Sequence, residues 1–224
     1  MNLPFGLRHS RVAGYTRPVS LFVTFEGIEG SGKSTHLARL AAHLRGRGRA
    51  VVETREPGGT VAGEAVRALL LGAEAVPLTP LAELLLYCAD RAQHVHEVVR
   101  PALAAGRLVL CDRFSDSTLA YQGYGRGLDL GRLHALDAEA RDGLVPGLTF
   151  LFDCPVEEGL ARARARAGSG DRFERELVAF HERVRRGFQD IARADPARVR
   201  VIDSTGAIDA VHAEVVATIE KRLA

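Results

Sequence analysis

Residues Gly27, Ile28, Glu29, Gly30, Ser31, Gly32, Lys33, Ser34 and Thr35 set a lysine and two hydroxyls directly behind three glycines. The spacing from Gly27 to Ser34 satisfies G-x-x-x-x-G-K-[ST], between an apolar run that ends at Phe25 and a helical pattern that follows. Glycines let a chain wrap an anion with backbone N–H groups, and a helix that starts there aims its positive end at the same point. The chemistry implied is a phosphate cradle over residues 27–35, with Lys33 reaching the β and γ phosphates and Ser34 able to ligate Mg2+. The choice of cation agrees. Lys and Arg together number 30, and since Lys33 and Lys221 are the two lysines, 28 are arginines, so a slim ammonium stands where a planar guanidinium would enter poorly. Alone, the motif means that a nucleoside triphosphate is bound, and it does not separate switches, motors and kinases. Glu29 is the anomaly, a carboxylate inside a cradle for anions. Glu26, at the end of the preceding run, reads as structural.

Such a cradle needs a frame. Five short runs are apolar almost throughout, as in strands covered on both faces: Leu21 to Phe25, Ala50 to Glu53, Leu108 to Cys111, Thr149 to Phe152, and Val199 to Ile202. Helical patterns lie between them. Leu37, Leu40, Ala41 and Leu44 share one face; Leu81, Leu84, Leu85 and Cys88 share another, in a helix expected to end near Pro101. Ile208, Val211, Val215, Ile219 and Leu223 mark a closing helix. This alternation predicts an α/β fold with a parallel sheet flanked by helices, whose ligands gather at the carboxyl ends of the strands. Residues 26–35, 54–60, 112–114 and 153–155 occupy those ends.

The totals exclude several classes. With 46% hydrophobic and 26% charged residues and a net charge of +2, the chain reads as an ordinary globular protein without the concentrated basic face of a nucleic-acid binder. No apolar run approaches the ~18 residues of a membrane span. Residues 1–20 lack the apolar stretch of a signal peptide and read as a poorly ordered tail before one domain over 21–224. Cys88, Cys111 and Cys154 are odd in number and sit in apolar contexts, which suits buried thiols in a reducing cytoplasm. The eight histidines include no zincin-type pair, so no metal held by the protein alone is expected.

Farther along, "TREPGGT" (54–60), "YCADRAQH" (87–94), "DRFSDSTLAYQGYGRG" (112–127) and "DRFE" (171–174) join "FEGIEGSGKST" (25–35) in the order and spacing of the thymidylate kinases. The sequence resembles that family from about residue 21 to its C-terminus. The resemblance implies a P-loop nucleoside monophosphate kinase fold with a five-stranded parallel sheet and a short mobile lid over about 161–173. It also implies a cytoplasmic homodimer that moves the γ-phosphoryl group of ATP to dTMP with Mg2+. A kinase for another deoxynucleotide or nucleoside is the alternative reading, and a P-loop ATPase switch without an acceptor is a second.

The resemblance assigns roles residue by residue. Arg113 is similar to the clamp on the acceptor phosphate, with a structural salt bridge as its other reading. Asp112 either holds Mg2+ through water or anchors neighbouring side chains. Tyr87 and Arg91, four apart and so on one helical face, would stack on thymine and reach a carbonyl oxygen. Ser117 and Thr118 match the base edge, and Tyr121 matches the aromatic that crowds the 2′ position. Gln122 is open between ligand and surface. At Glu29 the family's acid turns from the phosphates toward the 3′ hydroxyl of the acceptor sugar, which would resolve the anomaly. Ser31 stands where some relatives carry an arginine; this chain matches those that place the basic groups in the lid, here Arg166 and Arg172 among others. Within "ARARARA" (161–167), a helix would put Arg162 and Arg166 on one face and Arg164 on the other.

Overall fold

The computed structural model describes residues 20–72, 77–166, 173 and 176–224, with the side chain of Arg166 outside that description. Residues 1–19 and Arg172 also lie outside it, so the expectations placed on the tail and on the two lid arginines fall there. The described elements run β1 (Leu21–Glu26), α1 (Lys33–Gly46), β2 (Val51–Arg55), α2 (Val61–Leu71), α3 (Pro80–His94), a π-helical segment (Val95–Val99), α4 (Arg100–Ala104) and β3 (Leu108–Asp112). They continue with α5 (Ser115–Thr118), a second π-helical segment (Leu119–Gly125), α6 (Leu130–Ala140), β4 (Leu148–Asp153), α7 (Val156–Arg166), α8 (Val178–Ala194), β5 (Val199–Asp203) and α9 (Ile208–Leu223).

The five strands pair in parallel in the order β2-β3-β1-β4-β5. The inner strands β1, β3 and β4 are buried nearly throughout, whereas the edge strands β2 and β5 are partly open. Four of the ladders run one residue past the apolar run read from the sequence, each time through an acid: Glu26, Asp112, Asp153 and Asp203. The strand tips therefore present carboxylates at the edge where ligands of parallel sheets bind.

Side chains alternate across the sheet and build a layer on each face. Val23, Phe25, Phe150 and Phe152 pack against Leu37, Leu40, Ala41 and Leu44 of α1 and against Val211, Val215 and Ile219 of α9. On the other face Phe22, Val109 and Cys111 meet Val95, Val99 and Ala102, while Leu151 and Val199 meet Val156, Leu160, Phe180, Val184 and Phe188. Cys88, Cys111 and Cys154 are buried free thiols. Among the described residues, no helix is long and apolar enough to cross a membrane.

One helix boundary needs correction. The helical course from Pro80 does not end near Pro101 but continues to Ala104, because the π-helical turn at Val95–Val99 starts a new register. Pro101 thus lies inside a continuous helical course, two residues past the π-helical turn, rather than at a free helix start.

Candidate active site

The loop between β1 and α1 is shaped by glycines at two close approaches. A Cβ on Gly27 (φ 136°) would lie 2.3 Å from the carbonyl oxygen of Phe152, and one on Gly30 (φ 69°) would lie 1.9 Å from that of Gly159. The loop thus rests against the tip of β4 and the first turns of α7 with no room for side chains. Helix α1 starts at Lys33 with no side-chain cap on Gly32 and no acid in its first turn, so its own first turn supplies no side chain that competes for the N-terminal amides. Lys33 Nζ donates to the carbonyl oxygens of Gly27 (2.9 Å) and Ile28 (2.7 Å) and to Ser31 Oγ (3.3 Å). Burial and the neighbouring Arg113 pull its pKa down to about 8, against the attraction of Asp112, Glu29 and Glu26. A ligand phosphate would reverse that pull and hold the ammonium charged. Ser34 Oγ donates to Asp112 Oδ2, which joins the loop hydroxyl to the acid at the tip of β3.

Across the cleft stands the loop that follows β3. Arg113 sits in the left-handed region (φ 70°), a conformation that costs an arginine free energy and turns its side chain back over β1. Its guanidinium donates to Gly27 O (3.0 Å), Ser117 Oγ (3.1 Å), Glu29 Oε1 (3.0 Å) and the Tyr121 hydroxyl (3.2 Å), and lies 5.0 Å from the Tyr121 ring centre. Tyr121 itself donates to Glu29 Oε1 at 2.6 Å. Glu29 is therefore drawn away from the loop amides by groups on the opposite wall. Burial alone would raise its pKa, but His181, Arg113, Lys33 and Tyr121 outweigh that and hold it at about 2.

Glu26 is fully buried and braces this second loop, accepting from the Phe114 amide at 2.8 Å and from the Ser117 hydroxyl at 2.5 Å. Burial, with Asp116 behind it, pushes its pKa up from 4.5 to about 8 against Ser117, Arg113 and Phe114. The folded protein thus keeps a proton that the unfolded chain sheds, and stability from this group is full below about pH 4.5 and lost as pH rises toward 8. Glu26→Gln, uncharged and still able to accept from Phe114, is expected to flatten the fall in melting temperature between pH 5 and 8. Parallel slopes for the two proteins would contradict this.

Arg91 and Thr118 form a third wall. The Arg91 side chain is 1% exposed and is fixed by Glu56 (2.9 Å), Asp137 (2.8 Å) and Thr118 Oγ1 (3.0 Å), with Phe114 5.0 Å from its guanidinium carbon. Two carboxylates around one guanidinium make removal of the arginine costly, since both would remain buried and unpaired. His94 Nδ1 supports Glu56 Oε1 at 2.8 Å while its Nε2 meets Thr54 Oγ1 at 2.6 Å. Gln122 is buried and donates to Glu83 Oε1 at 2.8 Å.

All these walls face one open cleft with about 1050 Å3 of empty space. It is lined by Glu29, Gly30, Gly32, Lys33 and Ser34 on one side and by Tyr87, Arg91, Asp112, Arg113, Ser117, Thr118, Tyr121 and Gln122 on the other. Gly27, Ile28, Ser31 and Thr35 shape the loop without lining the cleft. Arg55 and Arg67 also line it, although the sequence did not single them out; Arg67 is held by Pro57 O at 2.8 Å. In α7, Arg162 donates to Ser204 O at 2.9 Å and Arg164 is exposed, as the opposite faces of a helix require. His181, expected on an amphipathic helix over 180–188 whose Arg-rich face sees solvent and given no role in the site, is fully buried. Its position three and seven residues before Val184 and Phe188 places it on the buried face of α8, a signal the sequence does carry.

Comparison with known proteins points to one family. The family profile described as thymidylate kinase matches residues 25–215. A thymidylate kinase of Solidesulfovibrio magneticus is 53% identical over 209 residues, which is 91% of this chain and 100% of the relative. One from Deinococcus radiodurans is 54% identical over 202 residues, 90% of this chain and 97% of the relative. The crystal structure of thymidylate kinase from Ehrlichia chaffeensis superposes with a TM-score of 0.73 at 39% identity, covering 90% of this chain and 99% of that one. With its phosphate loop, its five parallel strands in the order β2-β3-β1-β4-β5 and matches of this extent, the chain belongs to the thymidylate kinase family.

Proposed function

We propose that this chain transfers the γ-phosphoryl group of ATP to dTMP, giving dTDP and ADP. The observation that carries this reading is the single cleft in which the phosphate loop faces Tyr87, Arg91, Arg113, Thr118 and Tyr121. The second pKa of a phosphate monoester is about 6, so near pH 7 the acceptor is largely dianionic and needs no general base. What the protein must do is hold two polyanions close, exclude water and meet the charge that spreads over the moving group. Lys33 and the α1 amides hold the donor. Arg113 holds the acceptor phosphate from the other side, and Arg91 with Tyr87 holds the base. Ser34 and Asp112 are hard oxygen donors already in contact, a set that suits Mg2+. When bound there with ATP, the ion neutralises phosphate charge. The lid reading of 161–173, with Arg166 and Arg172 over the phosphates, rests on the family resemblance, as does a cytoplasmic homodimer. Leu81 and Leu85, 42% and 48% exposed on α3, supply an apolar face that suits a second copy.

Steady-state assays of ADP formation with dTMP, dUMP, dCMP and thymidine test the assignment. dTMP is expected to have the highest kcat/KM, and preference for another acceptor would replace it. Glu29→Gln keeps the shape and removes the charge, so the KM for dTMP is expected to rise roughly tenfold or more, with that for ATP changing less than about threefold. Equal losses for both substrates would remove Glu29 from the acceptor site.

A further inference from the structure

Among the described residues, two buried atoms in the site have no hydrogen-bond partner, Glu29 Oε2 and His181 Nδ1, and they face each other at 3.3 Å. His181 stands on α8 with its ring wholly buried, edge-on to Phe180 at 5.5 Å. Its Nε2 is 3.0 Å from the carbonyl oxygen of Phe173. A carbonyl only accepts, so Nε2 carries a hydrogen. The Glu29 carboxylate also only accepts, so a ring that serves both oxygens carries a hydrogen on each nitrogen. The other donors among the described residues near Glu29 are spent elsewhere: Tyr121 and Arg113 donate to Oε1, and Lys33 Nζ donates to Gly27, Ile28 and Ser31.

We propose that His181 is a positioning residue for the acceptor, the group that fixes the rotation of the Glu29 carboxylate and keeps it turned away from the phosphate loop. This rests on the reading that Glu29 serves the acceptor sugar. Without the ring, the pull of Lys33 on the carboxylate is opposed only from the Oε1 side, and the group can swing back toward the cradle. The same ring braces the acceptor wall from behind, because Phe173, held through its carbonyl, packs edge-on against Tyr121 at 5.3 Å. Helix α8 is thereby tied to the specificity of a site that it does not line.

Two amide substitutions separate the arms of the ring. His181→Asn can place a donor near the position of Nδ1, toward Glu29; His181→Gln can place one near Nε2, toward Phe173, and leaves Oε2 unpaired. The KM for dTMP is expected to rise roughly tenfold in His181→Gln and less than about threefold in His181→Asn, with kcat and the KM for ATP within about twofold of wild type in both. In a Glu29→Gln background, His181→Gln is expected to add little. Equal effects of the two substitutions, or a KM for ATP that follows the KM for dTMP, would overturn the proposal. Where Glu29→Gln raises the KM for dTMP and His181→Gln does not, the positioning role alone fails; where Glu29→Gln has no effect, the reading of Glu29 fails with it. Should His181→Gln not fold, ring-nitrogen resonances of wild-type protein labelled at histidine decide. His181, assigned by its absence in His181→Asn, is expected to show a hydrogen on both nitrogens, and a bare Nδ1 would overturn the proposal.

Discussion

Lys33→Met is expected to lower kcat by roughly a hundred- to a thousandfold, the effect of removing one preorganised donor from a site where charge develops. Lys33 is 7% exposed and its ammonium already lies in the loop, bonded to Gly27, Ile28 and Ser31. No large rearrangement is needed to bring it to phosphate. Because the charge it meets grows as the phosphoryl group moves, the loss should exceed the loss in ATP affinity. Methionine retains most of the buried stem, so the fold should survive, with the loop carbonyls free to take water. Steady-state kinetics at saturating ATP checks this. A loss confined to the KM for ATP, with kcat preserved, would limit Lys33 to ground-state binding.

Arg113→Lys is the second large effect. The guanidinium makes four directed contacts, to Gly27 O, Ser117 Oγ, Glu29 Oε1 and the Tyr121 hydroxyl, and a single ammonium cannot reproduce that fork. Removing one partner of a buried hydrogen-bonded ion pair costs about 2 to 5 kcal/mol. The expected fall in kcat/KM for dTMP is therefore roughly thirtyfold to several thousandfold, at conserved net charge. Part of this comes from Glu29, which loses the directed guanidinium donor on its acceptor side and is held less firmly against the pull of Lys33. Binding of dTMP measured by calorimetry should weaken while that of ATP is largely kept. A variant that binds dTMP like wild type would return Arg113 to the structural salt-bridge role that the sequence also allowed.

The frame of this molecule is legible because its inner strands are covered on both faces and so are written as plain apolar runs. The structure extends those three, and the edge strand β5, by one acid that hydrophobicity does not register, since a backbone ladder continues wherever its partner strand does. The helical stripe 37, 40, 41 and 44 packs as expected, and so do Val211, Val215 and Ile219. Helices α2 and α6 escaped notice. Their starts are set by caps, Thr60 accepting from the Gly63 amide and Asp129 from the Arg132 amide, rather than by a continuous apolar stripe.

In the site, the phosphate loop declares itself through glycine spacing. The aim of Glu29 does not, because it depends on Arg113, Tyr121 and His181, which are 84, 92 and 152 positions away in the chain and meet only in the folded state. The ion pairs of Arg91 with Glu56 and Asp137 are likewise invisible as a pattern, although each residue is buried. Burial of a charge is decided by its partners, and partners distant in sequence leave no local trace.

Transfer of label from γ-labelled ATP, followed in the presence and absence of dTMP, tests the central claim that donor and acceptor lie head to head in one cleft. The label is expected in dTDP, one for each ADP formed, with little release of inorganic phosphate when dTMP is absent. Label appearing as inorganic phosphate at a rate indifferent to dTMP would contradict it.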